Sequence, residues 1–199
     1  MKKAALIIFQ KNEELGKVKT RLAVTVGEEK ALEIYRILIS YTYQVIQDLP
    51  LTTYIFFSNF IPNSVADIPS NFVLRLQEGE NLGERMSNAF QLLFKSGYQR
   101  ILILGTDCAQ LESRHIKDAI QKLDEKDVVI GPAEDGGYYL LGMNKSTTSL
   151  FEEIEWSTSQ VFSQTIEKLT RAELSYDTIE TLSDVDVEED WEKVKMKFN

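Results

Sequence analysis

Ile101-Leu102-Ile103-Leu104-Gly105-Thr106-Asp107-Cys108 is the stretch on which the fold turns. A continuous β-branched and leucine run without polar alternation is what a parallel strand covered on both faces looks like. The Gly-Thr-Asp behind it puts a carboxylate at the C-terminal mouth of that strand, where open α/β sheets bind their ligands. An ionised carboxylate needs a partner when it leaves water, so Asp107 is a poor packing residue. The structural alternative is an Asp that caps the following turn or helix.

Outward from this strand, apolar runs alternate with longer amphipathic segments in both directions. Strands are expected at 4–9, 52–58, 72–76, 100–105, 127–131, 137–143 and 173–176, and helices at 28–48, 84–96, 113–124, 158–170 and 187–197. Ala31, Leu32, Tyr35, Leu38, Ile39, Thr42 and Val45 recur at helical spacing along the first of these helices. Gly97 suits a helix stop. The alternation predicts an α/β protein: one three-layer α/β/α domain over residues 1–199 with a mostly parallel central sheet. Pro62 and Pro69 mark residues 59–71 as a loop, too short for a linker.

Composition narrows the chemistry. A chain of 199 residues with 43% hydrophobic and 27% charged residues is that of an ordinary globular protein. The net charge is −9, and the basic cluster Lys17, Lys19 and Arg21 is small, which suits a small anionic ligand and excludes a nucleic-acid groove. One cysteine and one histidine exclude an internal disulfide and a multi-histidine metal centre. A divalent ion would therefore sit on oxygen ligands, which points to Mg²⁺ or Mn²⁺. The apolar run from Ala4 to Phe9 is too short for a membrane span or a signal core, so a cytoplasmic protein with no membrane association is expected.

Five stretches carry candidate chemistry. Gly16-Lys17-Val18-Lys19-Thr20-Arg21-Leu22 follows the first strand, where Lys and Arg can clamp phosphate oxygens; a solvated loop is the alternative, and the spacing is not that of a P-loop. Gln77 to Met86 opens a helix and holds Asn81 between Gly79 and Gly83, which permits backbone approach to a flat base; an ordinary β–α turn serves equally well. Glu134-Asp135-Gly136-Gly137-Tyr138-Tyr139 reads as a hairpin turn or as an acidic loop with tyrosines beside a sugar. Trp156-Ser157-Thr158-Ser159-Gln160 holds a potential capping box, Ser157 with Gln160, and Trp156 is either a pocket roof or core. Asp184-Val185-Asp186 precedes a helix for which Asp186 and Glu189 form a start signature, and still offers carboxylates to a metal. His115 is expected on a helix surface, and Cys108 packed as a small hydrophobe.

Taken together, these stretches resemble a bacterial family of radical-SAM/selenodomain-associated transferases, also called arsenosugar-biosynthesis glycosyltransferase-like, within the nucleotide-diphospho-sugar transferase superfamily of GT-A fold. The likeness is carried by 16–22, 81–86, Gly105-Thr106-Asp107-Cys108, Gly131 to Gly142, Trp156-Ser157-Thr158 and Asp184-Val185-Asp186, in the expected order. The 19–22 element also looks like phospholactate guanylyltransferases of that superfamily. The chain departs from the usual pattern at 12–15, at Ala109 and at Val187.

The resemblance implies a metal-dependent transferase with a nucleotide-activated donor. Asp107 with Asp186, or Asp184 as runner-up, would bind Mg²⁺ or Mn²⁺. Gly16, Lys19, Arg21, Gln77, Asn81 and Gly83 would bind the nucleotide, with Lys19 and Arg21 also stabilising the leaving group. Glu134, Gly136, Gly137, Tyr138, Trp156, Ser157 and Thr158 would line the acceptor side, with Asp135 as the catalytic base. Glycosyl transfer from a nucleotide sugar to a small acceptor is the leading expectation. Nucleotidyl transfer from a nucleoside triphosphate uses the same residues, and a non-catalytic nucleotide-binding protein is the reading from another class.

Overall fold

The computed structural model describes residues 3–64 and 67–198; residues 1, 2 and 199, and 65 and 66 of the expected 59–71 loop, lie outside the described residues. The apolar runs form strands Ala4–Gln10 (β1), Thr52–Phe57 (β2), Val73–Leu76 (β3), Arg100–Leu104 (β4), Val128–Pro132 (β5), Tyr138–Met143 (β6) and Tyr176–Thr178 (β7). They join one sheet in the order β3-β2-β1-β4-β6-β5-β7. All pairings are parallel except those of β6, which runs antiparallel between β4 and β5. The expected mostly parallel sheet is therefore present.

Helices Glu28–Ile46 (α2) and Ser113–Lys122 (α4) cover one face, packing Tyr35, Ile39, Tyr43 and Ile116 on Leu6, Ile8, Leu102 and Leu104. Leu82–Lys95 (α3) and Val161–Arg171 (α5) cover the other, with Met86, Phe90 and Leu169 against Ile7, Ile101, Ile103 and Leu141. Because alternate residues of β4 point to opposite faces, Ile101 to Leu104 are all buried. A third cluster joins Leu22, Ile34, Leu38, Ala109, Val185 and Trp191. It ties the short helices Thr20–Val26 (α1) and Glu188–Val194 (α6) to the segment after Asp107.

Four expectations are corrected. The last strand forms at 176–178 instead of 173–176, because Val128 pairs with Tyr176 and Asp127 takes up Ser175. Helix α1 arises inside the expected basic loop: Leu22, fully buried, supplies the tertiary contact that seven residues without a side-chain cap lack on their own. Helix α5 starts at Val161 and not at 158, since no Ser157–Gln160 capping box forms; Thr158 Oγ1 instead accepts the amide of Gln160 at 3.2 Å. His115 is buried at 2% exposure, not on the helix surface. Its Nδ1 accepts the amide of Glu112 at 3.0 Å and its Nε2 faces Glu180 at 3.2 Å, so the ring caps α4 and packs beside Tyr139.

The topology fixes where a ligand can sit. From β1 the chain winds outward to β2 and β3, whereas β4 lies on the other side of β1. The loops leaving β1 and β4 consequently part, and the crevice between them is the switch point of an open α/β sheet. Among the described residues no helix is long and apolar enough to cross a membrane.

Candidate active site

Lys19 and Asp107 meet across that crevice. Lys19 stands at the N-cap of α1 with φ 47° and ψ 43°, a left-handed conformation that turns its side chain inward. Its Nζ lies 2.7 Å from Asp107 Oδ1, donates to the Val185 carbonyl at 2.7 Å and is 4.0 Å from Asp186 Oδ1. The side chain is only 5% exposed. Arg21, 71% exposed, reaches Asp186 Oδ2 at 3.0 Å. The acidic segment is brought there by the backbone: Val185 N donates to the Asp107 carbonyl at 2.9 Å.

Asp186 is free for this because it does not cap the helix that follows, contrary to the Asp186–Glu189 start signature. Asp190 does so, accepting the amides of Asp186 and Val187 at 3.2 Å each. Asp184, half-buried on the same segment, completes an acidic group. Burial and the carboxylates of Asp107, Asp135 and Asp186 push its carboxyl up to about 7, against the opposing pull of Lys19.

These groups line a cleft of about 880 Å³. On one side it is bounded by Lys11, Ser58, Gln77, Glu80, Asn81 and Arg85. Asn81 caps α3 through Glu84 N at 3.0 Å, and Glu84 answers on the Asn81 amide and on Glu80 N, so this turn is set by its own hydrogen bonds. Gln77 Nε2 is spent on the Phe56 carbonyl at 2.9 Å, while its oxygen faces Arg85. On the other side stand Asp135, Gly137, Tyr138, Trp156, Ser157 and Thr158. Tyr138 and Trp156 meet edge to face at 6.5 Å. Asp135 Oδ1 accepts Gly137 N at 2.9 Å in a turn between two hairpin strands, so the Asp-Gly-Gly stretch both reverses the chain and borders the cleft. Ser157 holds φ 64°, a strained conformation for a residue with a side chain, at the cleft wall.

Four of the expected site residues do not line the cleft: Gly16, Gly83, Glu134 and Gly136. Gly83 is a packing glycine, because a Cβ there would lie 2.5 Å from Trp156 Nε1. Gly136 serves the same end against Ser159. Glu134 is exposed, with its amide on the Leu182 carbonyl. Tyr35 is the residue that sequence reasoning passed over as core. Its hydroxyl accepts Lys11 N at 3.0 Å, donates to the Lys11 carbonyl at 3.1 Å and lies 3.4 Å from Thr106 Oγ1, bridging the two parted loops. A tyrosine among aliphatic neighbours at helical spacing carries no local mark of this.

Asp107, Asp184 and Asp186 offer oxygen donors alone, the set that Mg²⁺ and Mn²⁺ take. Asp107 and Asp186 are paired with Lys19 and Arg21, whereas Asp184, raised by burial and by the neighbouring carboxylates, suits a further positive charge. Among the described residues, no three such groups already stand together as a ligand cage. Lys19 lies where Asp107 would meet an ion.

The model of a bacterial family described as "Uncharacterized protein conserved in bacteria (DUF2064)" matches residues 41–158. No curated protein matches the chain. Among solved structures, the chain is similar to a presumed nucleotide-diphospho-sugar transferase from Desulfovibrio desulfuricans G20, at 33% identity and TM-score 0.88 over 94% of this chain and 84% of that one. The fold is shared with 4-diphosphocytidyl-2C-methyl-D-erythritol synthase from Anaerococcus prevotii DSM 20548, at 11% identity and TM-score 0.62 over 99% and 98% of the two chains. It is also that of glucosyl-3-phosphoglycerate synthase from Mycobacterium tuberculosis, solved with Mn²⁺, UDP and glucosyl-3-phosphoglycerate, at 9% identity and TM-score 0.58 over 92% and 71%.

Proposed function

The chain belongs to the DUF2064 family and to the nucleotide-diphospho-sugar transferase superfamily, and from that premise we propose that it transfers a sugar from a nucleotide-activated donor to a small acceptor, its 199 residues serving as one domain. The observation that carries this reading is the buried Lys19 ammonium at the switch point, with Arg21 beside it and a cleft wide enough for a nucleotide sugar. The narrower kinship with radical-SAM-associated transferases is part of the same proposal.

In this reading the diphosphate lies against Lys19 and Arg21, and the base lies toward Gln77 and Asn81. The acceptor occupies the side walled by Tyr138, Trp156, Ser157 and Thr158. An acceptor oxygen attacks the anomeric carbon, the bond to the diphosphate breaks, and the nucleoside diphosphate leaves with the electron pair. Lys19 and Arg21 stabilise the charge that develops on it. A Mg²⁺ or Mn²⁺ ion held by Asp107 with Asp184 and Asp186 would supply Lewis-acid neutralisation of that same group. The acceptor's proton passes to Asp135, whose Oδ2 is left over once Oδ1 has taken Gly137 N.

A thermal-shift panel of nucleoside di- and triphosphates and nucleotide sugars, with and without Mn²⁺, tests the donor, because a ligand of the native state raises its stability by mass action. Stabilisation by a nucleotide sugar, followed by release of a nucleoside diphosphate, supports glycosyl transfer. Release of pyrophosphate from a triphosphate would make the chain a nucleotidyltransferase, and no response to any nucleotide would sink both. Arg21→Ala is expected to weaken the best donor by about 1.5–3 kcal/mol, the range for a charged hydrogen-bond partner. Unchanged affinity would return Arg21 to the solvated surface.

Asp135→Asn and Glu134→Gln should separate in a turnover assay. The first is expected to lower turnover by about 10²–10⁴-fold with donor binding intact, the range for a general base. The second, on a residue outside the cleft, should change little. Equal, mild effects would mean that the loop only shapes the pocket.

A further inference from the structure

Lys19 is held more firmly than an ion pair at a cleft mouth requires. Its side chain is 5% exposed, and Nζ is fixed by Asp107 Oδ1 at 2.7 Å and by the uncharged Val185 carbonyl at 2.7 Å, with Asp186 at 4.0 Å. The left-handed backbone at Lys19 aims the stem inward from the N-cap of α1. The lysine thus serves as the resident counter-ion of the acidic group. A second cation brought to Asp107 would stand next to this ammonium, where like charges repel, and the buried lysine cannot retreat into water.

We infer that Lys19 and a divalent cation exclude one another at Asp107, so that the cation is taken up only together with the diphosphate that draws Lys19 away. Resting on the donor reading above, the inference adds an order of events: the free protein does not load the metal first. Three features support it. The ammonium ends a flexible four-carbon stem, able to trade one anionic partner for another. A diphosphate in the cleft supplies that partner. Once Lys19 leaves, the carboxylates of Asp107, Asp186 and Asp184 are left without their buried cation, and the site gains an appetite for a divalent ion that the free protein lacks.

The test is the binding of Mn²⁺ alone, without nucleotide, followed by electron paramagnetic resonance. Lys19→Met keeps the aliphatic stem and removes the charge. It is expected to bind Mn²⁺ at least about tenfold more tightly than the unaltered protein, equivalent to about 1.4 kcal/mol. That gain should vanish when Asp107→Asn is added. Equal or weaker Mn²⁺ binding in Lys19→Met would overturn the inference.

Should the variant fold poorly, the ¹⁵N–¹H signal of the Lys19 ammonium in the unaltered protein gives the same answer. The signal is expected to stay in place with Mg²⁺ alone and to move with Mg²⁺ plus pyrophosphate, and displacement by Mg²⁺ alone would overturn the idea. A Mn²⁺ gain in Lys19→Met with no stabilisation by any nucleotide supports the counter-ion role and removes the donor reading. Nucleotide binding with an unchanged Mn²⁺ affinity does the opposite.

Discussion

Gly136→Ala is expected to destabilise the protein by about 3 kcal/mol or more, from positive-φ strain and overpacking combined. Gly136 sits at φ 89°, and an added Cβ would lie 2.3 Å from the Ser159 carbonyl oxygen, a backbone atom that cannot swing aside. Relief requires the 157–160 turn to move. That turn borders the cleft through Ser157 and Thr158, and the Gly136 carbonyl accepts Phe162 N at 2.9 Å at the start of α5. The acceptor wall should therefore loosen along with the fold.

Gly97→Ala isolates the backbone part of this effect. Gly97 has a similar φ of 86°, but nothing lies within 4 Å of an added Cβ. Its substitution should cost only about 1 kcal/mol. Urea midpoints for the two variants decide the matter. Equal losses would show that the contact with Ser159 is softer than its geometry implies.

Asp184→Asn is expected to stabilise the free protein above pH 7 by about 2–4 kcal/mol and to flatten its pH dependence. Because burial and the neighbouring carboxylates raise the folded-state carboxyl to about 7 from an ordinary 3.8, the folded protein holds a proton that the unfolded chain has released. The associated stability is complete below about pH 4, declines as pH rises toward 7 and is absent beyond. The sign is opposite to that of a salt-bridged aspartate. Urea unfolding at pH 5 and pH 8 measures it: the unaltered protein should lose stability between the two, and the variant should lose much less. A variant that is less stable than the parent at pH 8 would mean that Asp184 is held as a well-partnered carboxylate.

The layers of the fold were legible because their signals are local. Ile101 to Leu104 need no distant information to read as a doubly covered strand, and the helical spacing of Ala31 to Val45 is written within one element. The carboxylate at the mouth of β4 followed from position alone, and so did the basic residues after β1. Two of the misread elements depend on partners far away, whereas the start of α5 and the cap of α6 turned on a choice between neighbouring side chains. Helix α1 exists because Leu22 finds Ile34 and Trp191. His115 is buried because Tyr139 and Glu180 close over it.

In the cleft, Lys19, Arg21, Asp107, Asp135, Asp184 and Asp186 could be nominated from their sequence positions at the ligand edge, although Arg21 lies in α1 and not in a loop. Their pairing with one another is a product of the packed sheet. Lys19 and Val185 lie 166 residues apart, yet they share a hydrogen bond. The choice of Asp190 over Asp186 as the helix cap leaves Asp186 to Arg21. Charges attract through space and not along the chain, so a lysine's preference among several acids is fixed only when the sheet has placed them. Spacing could nominate these residues, and the closing of the crevice by the 182–186 segment brought Asp107 and Asp186 to one buried ammonium.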